Sequence, residues 1–388
     1  MTNNKTHDLL VIGAGPVGCR VAAKVAGAGY DVAILEQKPS LDAPICCTAL
    51  ISDECLRRFD LPRDLIVGSL NAATVFSPKG AVISVRRDQI QAHVLDRPAL
   101  DQQLYRDAAT RGARGLFGAK VTALIPGDDG ISAKVTQGGR TDDIHARAAV
   151  IAAGFGSDLL DSVGLRRATD WTMGVQAEVE VVGGVGVEIY VGRTYAPGFF
   201  AWLVPTSPGR AHVGLMSRRR AKANFTALIA RLQNDGKIKG DAHPSFRGIT
   251  LARPSRTYGA RLVVTGDLAG QVKPITGGGL YFGLLCADIA ARQMTAAFNK
   301  DNLSARALSA YEREWRALLG RELSRGRYAR RAFGLLGNRH LEFLFGVARR
   351  YNLAERLARC DDIGFDWHGA ALRQVVRLFS PFNTEEKA

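Results

Sequence analysis

Cysteine is scarce, acidic residues are outnumbered, and no long apolar run occurs. The six cysteines, Cys19, Cys46, Cys47, Cys55, Cys286 and Cys360, lie scattered over 388 residues without a CxxC or a repeated Cys/His ligand pair. That spacing argues against a structural zinc and against a disulfide-stapled module, so reduced thiols and no metal are expected. No window approaches the roughly 18 to 20 consecutive apolar residues that a spanning helix needs. The richest late stretch, Leu341 to Val347, runs straight into Arg349 and Arg350. The opening residues MTNNKTHD lack the charged start and apolar middle of a signal peptide. A cytoplasmic protein is expected, one that meets a membrane only peripherally, from its inner face.

Acids number 37 against 52 Lys and Arg, a net charge of +15, and the excess is uneven. Residues 201–261 hold twelve Lys/Arg against two Asp. A basic field attracts acidic proteins, phosphorylated substrates or lipid headgroups, and a merely solvated face would carry the same charge. Nucleic acid is disfavoured, because the basic stretch has few aromatics (Phe225, Phe246, Tyr258) and no helix-turn-helix or RNA-binding signature. Residues 312–360 carry twelve Arg against five Glu, interleaved with Leu, Phe, Ala and Trp315, a composition suited to a lipid surface. A hydrophobic content of 46% over this length predicts two or three lobes with a substantial core.

Along the chain, DLLVIG (8–13) reads as a buried strand, 16–29 as an Ala/Gly-rich helix and DVAILE (31–36) as a second strand. This is a βαβ unit. A helix over 98–112, strands near 116–137 and a buried strand at 148–153 extend the same lobe. Alternating, Gly-punctuated segments from 166 to 255 predict an inserted antiparallel sheet domain with one helix near 222–234. The strand 261–267 and helix 279–298 then complete the first lobe, and helices follow from 303. The predicted class is α/β: a discontinuous Rossmann-like domain (1–75, 97–165, 256–300), a sheet domain (76–96, 166–255) and a C-terminal helical region (301–388).

Gly13-Ala14-Gly15-Pro16-Val17-Gly18 stands between the first strand and the first helix. Gly13 permits the tight turn, Gly15 lets backbone approach a pyrophosphate, Pro16 opens the helix, and Gly18 lets helix and strand pack closely. Glu36 ends the second strand 18 residues after Gly18, where a carboxylate can accept from both hydroxyls of an adenosine ribose. A second loop after a strand, Gly266-Asp267-Leu268-Ala269-Gly270 with Pro274 and Gly277-Gly278-Gly279, offers an Asp for ribityl hydroxyls and a helix start for negative charge. Two dinucleotide contacts so far apart imply one long ligand, which favours FAD over NAD.

These motifs together resemble the geranylgeranyl reductase family of flavoproteins, related to aromatic hydroxylases and flavin-dependent halogenases. The family pattern GD-x-A-G-x3-P-x2-G-x-G is matched from Gly266 to Gly279, and Y-x-W-x-F-P appears as Phe200-Ala201-Trp202-Leu203-Val204-Pro205, with Phe for Tyr and Val for Phe. Pro44-Ile45-Cys46-Cys47-Thr48-Ala49-Leu50-Ile51-Ser52 resembles the family's cysteine loop, with Ala49 where Gly is usual. Arg97, Asp101 and Leu104 match R-x3-D-x2-L, whose Arg reaches the cofactor in the family. Ala153 stands where relatives carry an acid.

The resemblance implies an FAD enzyme reducing carbon–carbon double bonds of an isoprenoid or related lipid chain. Phe200, Trp202 and Pro205 would wall the substrate, and Cys47 would lie beside flavin and substrate as a candidate acid. NAD(P)H or a reduced ferredoxin, a small acidic iron–sulfur protein, would supply the electrons. The competing reading is a flavin monooxygenase or halogenase, since FxWxVP also resembles W-x-W-x-I-P. Against it, Lys38 lacks the G-W-x3-K context of a halogenase lysine.

Overall fold

The computed structural model describes residues 6–184, 186–359 and 364–369. The chain divides into two units, one of residues 1–45, 96–172 and 247–321, the other of 46–95, 173–246 and 322–388.

In the first unit the strands Leu262–Val264, Arg140–Ile151, His7–Ile12, Val32–Glu36 and Arg114–Phe117 run parallel, side by side in that order. The strand His7–Ile12 is central, and Leu9, Leu10 and Val11 are fully buried, as a strand covered on both faces demands. The helices Pro16–Ala26 and Arg97–Thr110 are the crossovers to its neighbours on one side. Strand order therefore reverses between His7–Ile12 and Arg140–Ile151, the switch point at which doubly wound folds bind ligands. The helix Leu280–Asn299 packs against Pro16–Ala26. Arg20 locks the two with a forked pair to Asp288, at 2.6 and 3.0 Å.

The second unit is built on a sheet ordered 238–239, 171–181, 210–217, 200–205, 187–191, 72–76 and 82–86. The expected antiparallel sheet is mixed, because Ala72–Phe76 pairs in parallel with Val187–Val191. That strand comes from an early chain segment and enters in the same direction as its neighbour 187–191, where a hairpin would have reversed it. Residues 46–75, expected in the nucleotide-binding domain, fall in this unit. A small sheet of 50–51, 92–95 and 66–70 adds to it. The helix Ala221–Asn234 buries Phe225, Leu228 and Leu232.

The region expected to be helical from 301 is helical at Ala305–Leu335, Asn338–Arg350 and Leu353–Ala358, and the division between units falls inside the first of these. The remainder of that expectation, 360–363 and 370–388, lies outside the described residues, as does Cys360. Cys19, Cys46, Cys47, Cys55 and Cys286 are not joined in disulfides. No helix among the described residues is long and apolar enough to cross a membrane.

Candidate active site

The glycine fingerprint sits at the switch point of the first unit. Gly13 adopts φ +106°, and a Cβ there would lie 2.6 Å from the carbonyl oxygen of Ala152, just past the end of the adjacent strand. A Cβ at Gly18 would overlap the carbonyl oxygen of Gly13 and lie 3.3 Å from Val11 Cγ1. Both glycines are thus demanded by the fold itself. Gly15 is different. It is the N-cap of the first helix with φ −72° and ψ 175°, backbone that any residue adopts, and a Cβ there would meet nothing within 4 Å. Neither strain nor crowding requires glycine at 15; open space remains ahead of the helix N-terminus, followed by Pro16 in the first turn.

Glu36 is buried at the end of its strand, where its Oε2 accepts from Ala14 N at 2.7 Å and its Oε1 from Lys38 N at 2.9 Å. Each carboxylate oxygen keeps a second lone pair. Cys19 donates to Ala14 O at 3.2 Å, and burial, then the negative charges of Asp101 and Glu36, push its thiol well above the ordinary range. It is structural. Arg97 forks onto the buried Asp101, with 2.7 Å from Nε to Oδ1 and 3.2 Å from Nη2 to Oδ2, so its head is held by its own helix.

The second motif meets the first through Val17. A Cβ at Gly266, φ +74°, would lie 3.4 Å from Val17, and one at Gly283 would lie 2.7 Å from Val17 Cγ2. Residues far apart in sequence therefore form one loop cluster. A Cβ at Gly279 would lie 2.6 Å from Asp267 Oδ1, so a side chain there would displace that carboxylate. Pro274 is buried, whereas Gly277 and Gly278 are half-buried.

Sequence reasoning missed two partners here. Gln271, fully buried, accepts from Gly266 N at 2.7 Å and from Thr265 Oγ1 at 3.1 Å, and donates to Tyr311 Oη at 2.8 Å, which fixes the path of the loop. Arg247 pairs with Asp267 Oδ2 at 3.1 Å and runs past Gly154, where a Cβ would lie 3.3 Å from its Nη2. Gln271 stood inside the G-D-L-A-G-Q motif and was visible as a polar residue in an apolar run; Arg247 gave no local signal.

In the second unit, Phe200–Pro205 pairs with Val187–Val191 on one side and Arg210–Ser217 on the other. Side chains alternate along a strand, so Phe200, Trp202 and Val204 share one face, while Ala201, Leu203 and Pro205 share the other. The expected grouping of Pro205 with Phe200 and Trp202 is thereby corrected: strand parity turns Pro205 away. Trp202 lies across Gly214, whose glycine is required because a Cβ would overlap the indole. Its Nε1 is buried with no hydrogen-bond partner. The Phe200 and Trp202 rings lie 5.8 Å apart.

The cysteine loop covers this same face. Gln176 stands opposite Gly214 in the ladder, as Trp202 does on the other side, and Thr48 Oγ1 donates to Gln176 Oε1 at 2.7 Å. Leu50 packs with Trp202 in the cluster around Val94, Val187 and Val204. Cys46 donates to Ser245 O at 3.4 Å. Cys47 is half-buried, and its sulfur accepts from Ala49 N at 3.4 Å. Ala49 keeps the left-handed path, φ +51°, that a glycine would take freely, so the loop retains that bend without its usual residue. His212, opposite Val204 on this face, has its pKa lowered by burial, with Glu178 opposing.

The sequence profile of a family described as Lycopene cyclase protein matches residues 8–191. The chain is 31% identical over 352 residues to digeranylgeranylglycerophospholipid reductase 2 of Methanothermobacter thermautotrophicus, covering 87% of this chain and 90% of that one. The chain belongs to the geranylgeranyl reductase family. This reductase superposes on a geranylgeranyl bacteriochlorophyll reductase-like protein from Thermoplasma acidophilum with a TM-score of 0.83 at 22% identity, over 96% of this chain and 99% of that one. It also shares its fold with the halogenase PltM, solved in complex with FAD, at a TM-score of 0.68 and 15% identity over 91% and 85% of the two chains. The Rossmann-like α/β architecture is that of these flavoproteins, and membership makes the chain an oxidoreductase.

Proposed function

We propose that this reductase holds FAD in its first unit and reduces carbon–carbon double bonds of an isoprenoid lipid. Gly15 carries the cofactor reading. A glycine that the backbone does not need, at an open helix N-terminus on the switch point, is what a pyrophosphate requires, since any side chain would fill the phosphate space. Gly13 and Gly18 shape that cradle, Glu36 has lone pairs left for ribose hydroxyls, and Asp267 is the candidate for the ribityl chain. Arg97, Pro274, Gly277, Gly278 and Gly279 are the remaining candidate contacts. The substrate class rests on the relatives' names.

When bound and reduced, FAD supplies a hydride to one alkene carbon. The protein's part is to hold the chain and deliver a proton to the other carbon. The apolar face of Phe200 and Trp202 suits a prenyl chain, and Cys47, on the loop over that face, is the candidate acid. Electrons come from NAD(P)H or from a reduced ferredoxin, whose acidic surface would complement the basic segment 201–261. Collection of a lipid calls for a peripheral membrane contact. The helix Asn338–Arg350 buries Leu341 and Phe345 and exposes Phe343, 68% accessible, on one stripe with Arg339 and Arg350. Flotation with anionic vesicles should fall in Phe343→Ser, and an unchanged fraction refutes that contact.

The decisive experiment mixes FAD-loaded, chemically reduced protein with a digeranylgeranyl glycerophospholipid without oxygen. Flavin reoxidation accompanied by lipid that has gained hydrogen is expected, and Cys47→Ala should slow it at unchanged FAD content. Reoxidation by oxygen alone would turn the assignment toward monooxygenase or halogenase chemistry. An unchanged rate in Cys47→Ala removes the thiol from the mechanism.

A further inference from the structure

Packing fixes the course of Arg247 from two sides. It stands in the strand Ser245–Thr250 next to Gly248, and the loop that follows Arg140–Ile151 interlocks with these two residues. A Cβ at Gly154 would lie 3.3 Å from Arg247 Nη2, so the guanidinium crosses that glycine. In return a Cβ at Gly248 would overlap the ring of Phe155, so the ring crosses the other glycine. Phe155 is backed by Trp171, their ring centroids 5.6 Å apart. The same loop touches the fingerprint, since a Cβ at Gly13 would lie 3.2 Å from Ala153 Cα.

The guanidinium so placed meets Asp267, Nη2 to Oδ2 at 3.1 Å, with the two side chains 36% and 26% exposed. An ion pair this open to water contributes little to stability, because solvent screens it and two side chains lose freedom. What the pair does fix is direction. Oδ2 is engaged by Arg247, and Oδ1 lies over Gly279, 2.6 Å from where a Cβ would stand, with no side chain in its way at that position. The carboxylate therefore keeps one orientation. A guanidinium suits this task, since it stays charged and spends one of its five N–H donors on the contact.

We propose that Arg247 is a positioning residue for the flavin: it aims the Asp267 carboxylate at the ribityl hydroxyls and makes no contact of its own with the cofactor's phosphates. This rests on the proposed function, in which Asp267 is the ribityl candidate. A carboxylate that is oriented only on binding loses side-chain freedom at that moment, and one already held does not. Arg247 thus raises flavin affinity through Asp267 alone. Riboflavin and FAD share the ribityl chain, whereas only FAD carries the pyrophosphate, so the two ligands separate this role from direct phosphate binding.

Fluorescence titration of the full-length chain, freed of flavin, with each ligand tests this. Arg247→Met should weaken riboflavin and FAD by the same factor, about tenfold. Arg247→Lys, which keeps the charge at a pair of one contact, should stay within about threefold of wild type. In an Asp267→Ala background Arg247→Met should change FAD affinity no further, since the carboxylate it acts through is gone. A tenfold loss repeated in that background, or a loss confined to FAD, means that the guanidinium meets the phosphates itself and overturns the proposal. Unchanged affinities, or equal losses in the Met and Lys variants, overturn it in favour of packing. Should Arg247→Met fail to fold, Arg247→Gln takes its place; should riboflavin bind too weakly to titrate, the Asp267→Ala comparison with FAD decides. A wild type that binds no flavin defeats the proposed function and this inference together, whereas FAD-binding wild type with unchanged variants defeats only the inference.

Discussion

Gly15→Ala and Gly18→Ala are expected to damage this protein in different ways, though they lie three residues apart in one loop. At position 18 the new methyl would overlap the carbonyl oxygen of Gly13, and the obstacle is backbone. To clear it, the helix Pro16–Ala26 must lift from its strand and loosen Cys19, Val21, Ala22 and Val25, all fully buried. Overpacking of this kind costs about 1–3 kcal/mol, and a backbone obstacle puts the cost near the top of that range. At position 15 the methyl meets nothing within 4 Å and φ is already −72°, so the apoprotein should change by no more than about 0.5 kcal/mol. On the proposed cofactor reading, the same methyl stands where phosphate oxygens approach. FAD affinity should then fall by about a hundredfold or more, which is about 2.8 kcal/mol. Urea unfolding of the apoproteins followed by circular dichroism gives the first quantity, and quenching of flavin fluorescence on titration gives the second. If Gly15→Ala destabilises the apoprotein as much as Gly18→Ala and leaves FAD affinity intact, glycine at 15 serves the chain and the cofactor argument fails.

Ala49 sits buried at φ +51°, so Ala49→Val should cost about 1–3 kcal/mol, because a β-branched side chain is poorly accommodated there. Ala49→Gly should stay within about 1 kcal/mol of wild type, relief of strain being offset by the lost methyl, of order 0.8 kcal/mol; equal urea midpoints for Val and Gly would contradict the left-handed bend. His212 supplies a pH dependence. Burial lowers its folded pKa, so the unfolded chain takes the proton first as pH falls. Stability should be unaffected above the ordinary imidazole value of 6.5 and should decline below it until the folded value is reached. His212→Gln should remove that part of the decline in urea midpoints measured from pH 7.5 to 5, and an identical slope in wild type and variant refutes it.

The βαβ start, the fingerprint and the Glu36 strand end were legible in the sequence because each is local. Glycine spacing, an apolar run and a terminal carboxylate act within one turn of chain. The late return to the same lobe at Gly266 was legible too, since its strand, loop and helix repeat that local grammar. The bend of the cysteine loop was hidden, because Ala49 is not a residue that announces a positive φ. Strand parity separated Pro205 from Trp202 only once the ladder with 210–217 set the register. The parallel entry of 72–76 beside 187–191 depends on hydrogen bonds between segments more than a hundred residues apart. Local chemistry thus determined the strand–glycine loop–helix start of the first unit. Tertiary structure alone decided that Gln271 braces the second glycine loop and that Arg247 pairs with Asp267, because burial and pairing belong to groups that meet only when the chain has folded.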